Sequence, residues 1–152
     1  MNKRLIIEMV VLILMTGAFA SPPRLAARKN DPFTGLWRLN VEKSDKLLPA
    51  PREVRINANK KTIRVHEDTV NQNGVRTTVT ISANFSGKDY PVVGSPLADA
   101  AAYERIDSHT IKATVKKQHD VVVSEKLVVS EDGKTLTASF EDLPGVVVFD
   151  KH

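Results

Sequence analysis

The feature that most constrains this chain is a period of two. From Phe33 onward apolar and polar residues alternate in short runs. Turn residues break the alternation every ~8–15 positions, which is the pattern of half-buried strands rather than helices. Phe33, Gly35, Trp37, Leu39 and Val41 fall on one face, with Thr34, Arg38 and Asn40 opposite. Val54 and Ile56 alternate with Arg55, and Ile63 and Val65 with Arg64, across the hairpin-length connection Asn57–Lys60. Asn73-Gly74 then marks a tight hairpin, because both residues tolerate positive φ. Val75, Val79, Ile81, Ala83 and Phe85 make the next apolar stripe. Further strands are predicted over Asp89–Val93, Ala100–Ile106, Thr110–Lys117, Val121–Ser130 and Val146–Lys151, with Leu136, Ala138 and Phe140 alternating between the last two. The prediction is an all-β domain, an up-and-down antiparallel meander of about eight to ten strands closed into a barrel.

The segment ahead of this pattern reads differently. Lys3 and Arg4 form a positive start, Ile6–Met15 is apolar but for Glu8, and Ala18-Phe19-Ala20 places small residues where a signal peptidase cleaves. The apolar run is about half the roughly 20 residues that span a bilayer. The chain is therefore predicted to carry a signal peptide over 1–20, a flexible leader over 21–31 and a barrel domain over 32–152. The protein is expected to be periplasmic or secreted, with no stable membrane anchor after cleavage. Cysteine is absent, which excludes disulfides, thiol catalysis and Cys-based metal sites.

Removing Lys3 and Arg4 from 22 basic residues and Glu8 from 18 acidic ones leaves a mature charge of +3. The longest basic runs are the pairs Lys60-Lys61 and Lys116-Lys117, and aromatic residues are few. No nucleic-acid partner is expected from that pattern.

Several stretches, taken in order, carry a likeness. They are Phe33–Asn40 followed by Lys43-Ser44, Gly87–Val92 with Gly94-Ser95-Pro96, Tyr103–Asp107, and Val129–Thr137. Together they resemble bacterial secreted lipocalin-like proteins over nearly all of Phe33–Lys151. The resemblance implies a small calycin-type barrel, shaped like lipocalins and fatty-acid-binding proteins, with no assigned activity and no catalytic residues to transfer. It also implies that Trp37 closes the barrel floor beneath a basic residue from a late strand, either Lys126 or Lys151. The residues support a structural role independently. Gly35 permits close approach of a neighbour, and an indole such as Trp37 buries about 150–250 Å² in a small core.

Catalytic and metal chemistry find little support. His66, His109, His119 and His152 show no metal-ligand spacing, and His109 and His119 flank opposite ends of one strand. No metal or cofactor is expected. There is no G-x-S-x-G motif, and Gly94-Ser95-Pro96 reads as a turn. Glu131-Asp132 and Glu141-Asp142 fall in turns, and His66 and Glu67 point to opposite faces. No converging polar groups are predicted inside the barrel.

The candidate ligand-binding residues are instead the inward stripe: Val79, Ile81, Ala83, Phe85, Tyr103, Ile111, Ala113, Val115, Leu136, Ala138 and Phe140. The alanines among them leave space. Tyr90, Tyr103 and Arg105 are placed near strand ends or on the alternate register, as polar anchors at a mouth over an apolar cup. A solid core is the competing outcome, and the sequence leaves both open. The leading expectation is a non-enzymatic barrel that binds a small hydrophobic or amphipathic ligand. The alternative is an interaction module for a protein, glycan or envelope polymer, using the outward Arg38, Arg55, Arg64 and Arg76. A lipocalin-shaped enzyme is the weakest reading.

Overall fold

A computed structural model describes residues 30–48, 50–70 and 74–152. The predicted signal peptide, the leader up to Lys29 and Asn73 lie outside the described residues. Ten strands follow one another: β1 (Gly35–Leu39), β2 (Glu53–Ala58), β3 (Thr62–Val70), β4 (Arg76–Asn84), β5 (Asp89–Val93), β6 (Ala100–Arg105), β7 (Thr110–Lys117), β8 (Asp120–Val129), β9 (Thr135–Phe140) and β10 (Val146–Lys151). Each pairs antiparallel with its sequence neighbours, and β1 pairs with β10 through Trp37↔Lys151, Arg38↔Asp150 and Leu39↔Phe149. The result is a closed up-and-down barrel, its ladder continuous except at the β4–β5 seam, where only two pairs join.

Alternation decides which side chains enter the barrel. Val54, Ile56 and Ala58 point in from β2, Ile63 and Val65 from β3, and Leu136 and Ala138 from β9, all buried. The outward residues are polar and paired across strands. Glu53 accepts from Arg38 at 3.3 Å and lies 4.0 Å from Arg55, Lys116 meets Asp89 at 2.9 Å, and Lys112 meets Glu141 at 2.7 Å. These exposed pairs contribute little stability individually. They do show that the outer wall interleaves both signs rather than presenting a basic face.

One end of the barrel is plugged. Phe33 and Trp37 are fully buried there, and the Trp37 indole N–H donates to the Phe33 carbonyl at 2.9 Å. Phe33 precedes β1 rather than joining it, because Asp31 accepts from the Phe33 and Thr34 amides and turns the chain. Asp31 belonged to the predicted flexible leader. It is instead fixed by Arg105, 2.9 Å away, whose guanidinium lies 4.5 Å from the Phe85 ring centroid and 5.4 Å from that of Phe33. An ion pair this sheltered costs more to break than a surface pair, since either partner left alone is a buried charge.

Lys151 settles the choice between the two late-strand cations. Its ammonium sits 4.8 Å from the Trp37 ring centroid and donates to the Pro32 carbonyl at 3.1 Å. A Cβ at Gly35 would strike the Lys151 side chain, so glycine makes room for this stack. Lys126 faces outward on β8 and is exposed.

Two departures from regular pairing shape the other end. The β7–β8 hairpin turns through Gln118 and His119 with φ of 51° and 76°, and the register shifts between Val115 and Lys116. β4 and β5 share only Thr80↔Val93 and Ile81↔Val92. There Gly94, at φ +88°, backs onto the Thr78 carbonyl so closely that any Cβ would collide with that oxygen.

Candidate functional site

The plug fills one half of the barrel, and the other half is hollow. A cavity of about 220 Å³ opens at the end formed by the β1–β2, β3–β4, β5–β6, β7–β8 and β9–β10 connections. Its wall comes from β2 and β3, from β6 to β10, and from Ala50 and Pro51 ahead of β2. Most of that wall is apolar, including Val54, Ile56, Leu127, Leu136, Val147 and Phe149.

Three polar side chains interrupt it: Glu67, Glu125 and Tyr103. Parity puts them there. Glu67 follows Ile63 and Val65 on the inward face of β3, while Glu125 precedes Leu127 and Val129 on that of β8. Tyr103 pairs with Ala113, which pairs with Glu125, so all three residues share one face of adjacent strands. β3 and β8 stand five strands apart whichever way the ring is followed. Glu67 and Glu125 therefore approach the cavity from opposite walls.

The electrostatics of this trio are unusual. Burial pushes the Glu125 carboxyl up to about 7, with the Glu67 charge adding to the effect. Burial likewise raises Glu67 above its ordinary value. The Tyr103 hydroxyl is held well above 10 by burial, then by Glu125 and Glu67. Each group is drawn away from water with no compensating partner among the described residues, which disfavours its charged form. Among the described residues no lysine, arginine or histidine lines the cavity, and none of them hydrogen-bonds to any of the three groups.

The candidate residues from the sequence divide in two. Tyr103, Val115, Leu136, Ala138 and Phe140 line the cavity. Val79, Ile81, Ala83, Phe85, Ile111 and Ala113 belong to the packed core. The reason is positional. β4 contributes nothing to the cavity wall, and the β4 stripe runs toward the plugged end, where Phe85 meets Arg105. Of the alanines expected to leave space, Ala138 does so, while Ala83 and Ala113 are covered.

The predicted layout of polar anchors is also reversed. Tyr103 faces inward at 3% exposure, and Arg105, two residues on, points into the plugged end. Tyr90 packs against the core as well. The polar groups thus lie inside the cup, and the rim mixes exposed apolar side chains with charged ones such as Glu42, Lys46, Asp120 and Asp142. Leu47, Val70, Val93, Leu97, Val121 and Leu143 are all exposed at the open end. Ile106, at the plugged end, is the single large exposed apolar residue away from the rim among the described residues.

The expectation that no polar groups converge in the interior does not hold. Each of Glu67 and Glu125 sits two residues from a buried member of its own stripe, Val65 and Leu127 respectively. Among the described residues no group of three or more His, Cys, Asp or Glu side chains is placed to hold a metal ion. Comparison with protein-family models, with curated proteins and with solved structures found no match for this chain.

Proposed function

We propose that this barrel is a carrier or store for one small amphipathic molecule, held in the half-hollow interior and working outside the cytoplasm. The observation that carries this reading is a cavity of about 220 Å³ whose apolar wall holds three hydrogen-bonding groups without partners among the described residues. Glu67 and Glu125 are half-buried and open to the cavity, and a pocket combining apolar lining with a few convergent polar groups is the usual form of a small-molecule site. The exposed apolar side chains of the rim, Leu47, Val93, Leu97 and Leu143 among them, suit capture of a molecule with an apolar body. The Trp37–Lys151 stack supports kinship with lipocalin-like barrels, as the sequence resemblance implies. A polymer-binding outer face has less support, because Arg38 and Arg55 already share Glu53.

Acid–base catalysis is a second reading, favoured by one observation. A carboxyl titrating near 7 beside a buried tyrosine is suited to moving protons at neutral pH. The two readings separate on whether a bound compound returns unchanged.

Native mass spectrometry of protein purified without denaturation, together with Ala138→Phe, tests the proposal. The phenylalanine ring fills the cavity from β9. The expected result is a small-molecule adduct on the wild type that the variant lacks, with both proteins folded. If no small amphipathic compound binds the wild type, or Ala138→Phe binds as well as the wild type, the cavity is not a ligand site.

A further inference from the structure

We infer that the ligand is an organic cation, an alkyl- or arylalkylammonium whose charged head lies between Glu67 and Glu125 while its apolar body rests on the surrounding wall. The inference depends on the cavity being a ligand chamber, and it adds the chemical class.

Donor and acceptor balance points to it first. Above pH 7 Glu125 is mostly ionised; an ionised carboxylate only accepts hydrogen bonds, and Tyr103 brings a single O–H donor. The chamber therefore holds more acceptors than donors, and neither glutamate has a donor among the described residues. A ligand rich in N–H groups satisfies this set. A carboxylate or phosphate would add acceptors to a site already short of donors.

Charge points the same way. Glu67 on β3 and Glu125 on β8 face one cavity, and among the described residues no lysine, arginine or histidine lines it. In a low-dielectric interior such a like-charged pair is unfavourable, and one cation between the two relieves it. Organic anions would place a third negative charge beside them.

Size then limits the body. A dry cavity of about 150 Å³ takes a benzene-sized guest, so 220 Å³ admits one ring with a short chain. The apolar side chains of Val54, Leu127 and Phe149 suit such a body better than they suit a bare metal ion or a polyhydroxylated compound.

The test uses three compounds of nearly one shape and three charges: 2-phenylethylamine, 2-phenylethanol and 3-phenylpropanoate. Each is titrated calorimetrically into the purified protein at pH 8 and low salt, and into E67Q/E125Q. The amine is expected to bind at least about tenfold more tightly than the alcohol, and the propanoate most weakly. In E67Q/E125Q the advantage of the amine disappears while the alcohol still binds. Trp37 emission and the urea midpoint establish that the variant is folded. If the alcohol or the propanoate matches the amine on the wild type, the cation assignment falls and the chamber stands. An amine advantage that survives in E67Q/E125Q places the amine elsewhere and also overturns the assignment. If none of the three binds, the chamber reading falls and takes this inference with it.

Discussion

Replacing Glu125 with glutamine should make the protein more stable at alkaline pH, although it removes a buried hydrogen-bonding charge. In the folded protein the Glu125 carboxyl titrates at about 7 against an ordinary 4.5. A group that binds its proton more tightly when folded stabilises the fold fully below pH 4.5, and this contribution is lost as pH rises through 7. At about 1.4 kcal/mol per pH unit, the loss across that window is about 3 kcal/mol. Glu67, also raised by burial, adds in the same direction. The depressed carboxyls, Asp107, Asp132, Glu141 and Asp150, contribute stability that is complete above about pH 4.5, outside the window.

Glu125→Gln keeps the shape and cannot ionise. The variant should match the wild type near pH 4.5 and exceed it by about 3 kcal/mol at pH 8, which moves a urea midpoint by roughly 1–3 M. A shallow slope from Glu67 should remain, and E67Q/E125Q should be flat. Equilibrium urea unfolding from pH 4.5 to 8.5 measures this directly, with the buried Trp37, the only tryptophan in the chain, as the reporter. A variant that is less stable than the wild type at pH 8, or that keeps the full wild-type slope, would show that Glu125 is solvated or paired rather than stranded.

Three other substitutions probe the frame around the cavity. His119→Gly should stabilise the fold by about 0.5–1 kcal/mol, since glycine takes a positive φ without the penalty a side chain incurs there; an unchanged or lowered thermal midpoint counts against strain in this hairpin. Gly94→Ala should cost about 2 kcal/mol or more, because the new methyl meets the Thr78 carbonyl and a positive φ at once. Amide hydrogen exchange should then rise first at Ile81 and Val93, next to the short β4–β5 ladder. Arg105→Met should cost about 3 kcal/mol by leaving Asp31 sheltered and unpaired, and R105M/D31N should recover much of that loss in the same urea assay. Failure of the double variant to recover it would assign the cost to the lost contacts with Phe33 and Phe85.

The frame of this protein was legible because alternation is a local signal. The predicted strands over Asp89–Val93, Thr110–Lys117 and Val146–Lys151 coincide with β5, β7 and β10. Trp37 and Gly35 were recognisable as structural from their shared face. The choice of Lys151 over Lys126 was not, since it depends on β1 closing against β10, a pairing that spans the whole domain. Glu67 went unrecognised for a different reason. Its parity with Ile63 and Val65 was visible, but a carboxylate among apolar positions reads as the end of a buried stripe. Glu125 was harder still. Val121, Val122 and Val123 run together and hide the phase, and the register shift at Val115 breaks the cross-strand count. Where the interior is solid and where it is hollow follows from ten strands meeting at once, which no single strand encodes.

The plug of Phe33, Trp37 and Arg105 makes the barrel a blind well. On the proposed carrier reading a guest finds no second exit among the described residues, so the water it displaces leaves past it through the same opening. Uptake and release therefore cross one barrier, formed by the rim and by the connection that carries Leu47, Leu48 and Ala50. Substitutions that touch only that barrier should speed or slow both directions together and leave the occupancy at equilibrium unchanged.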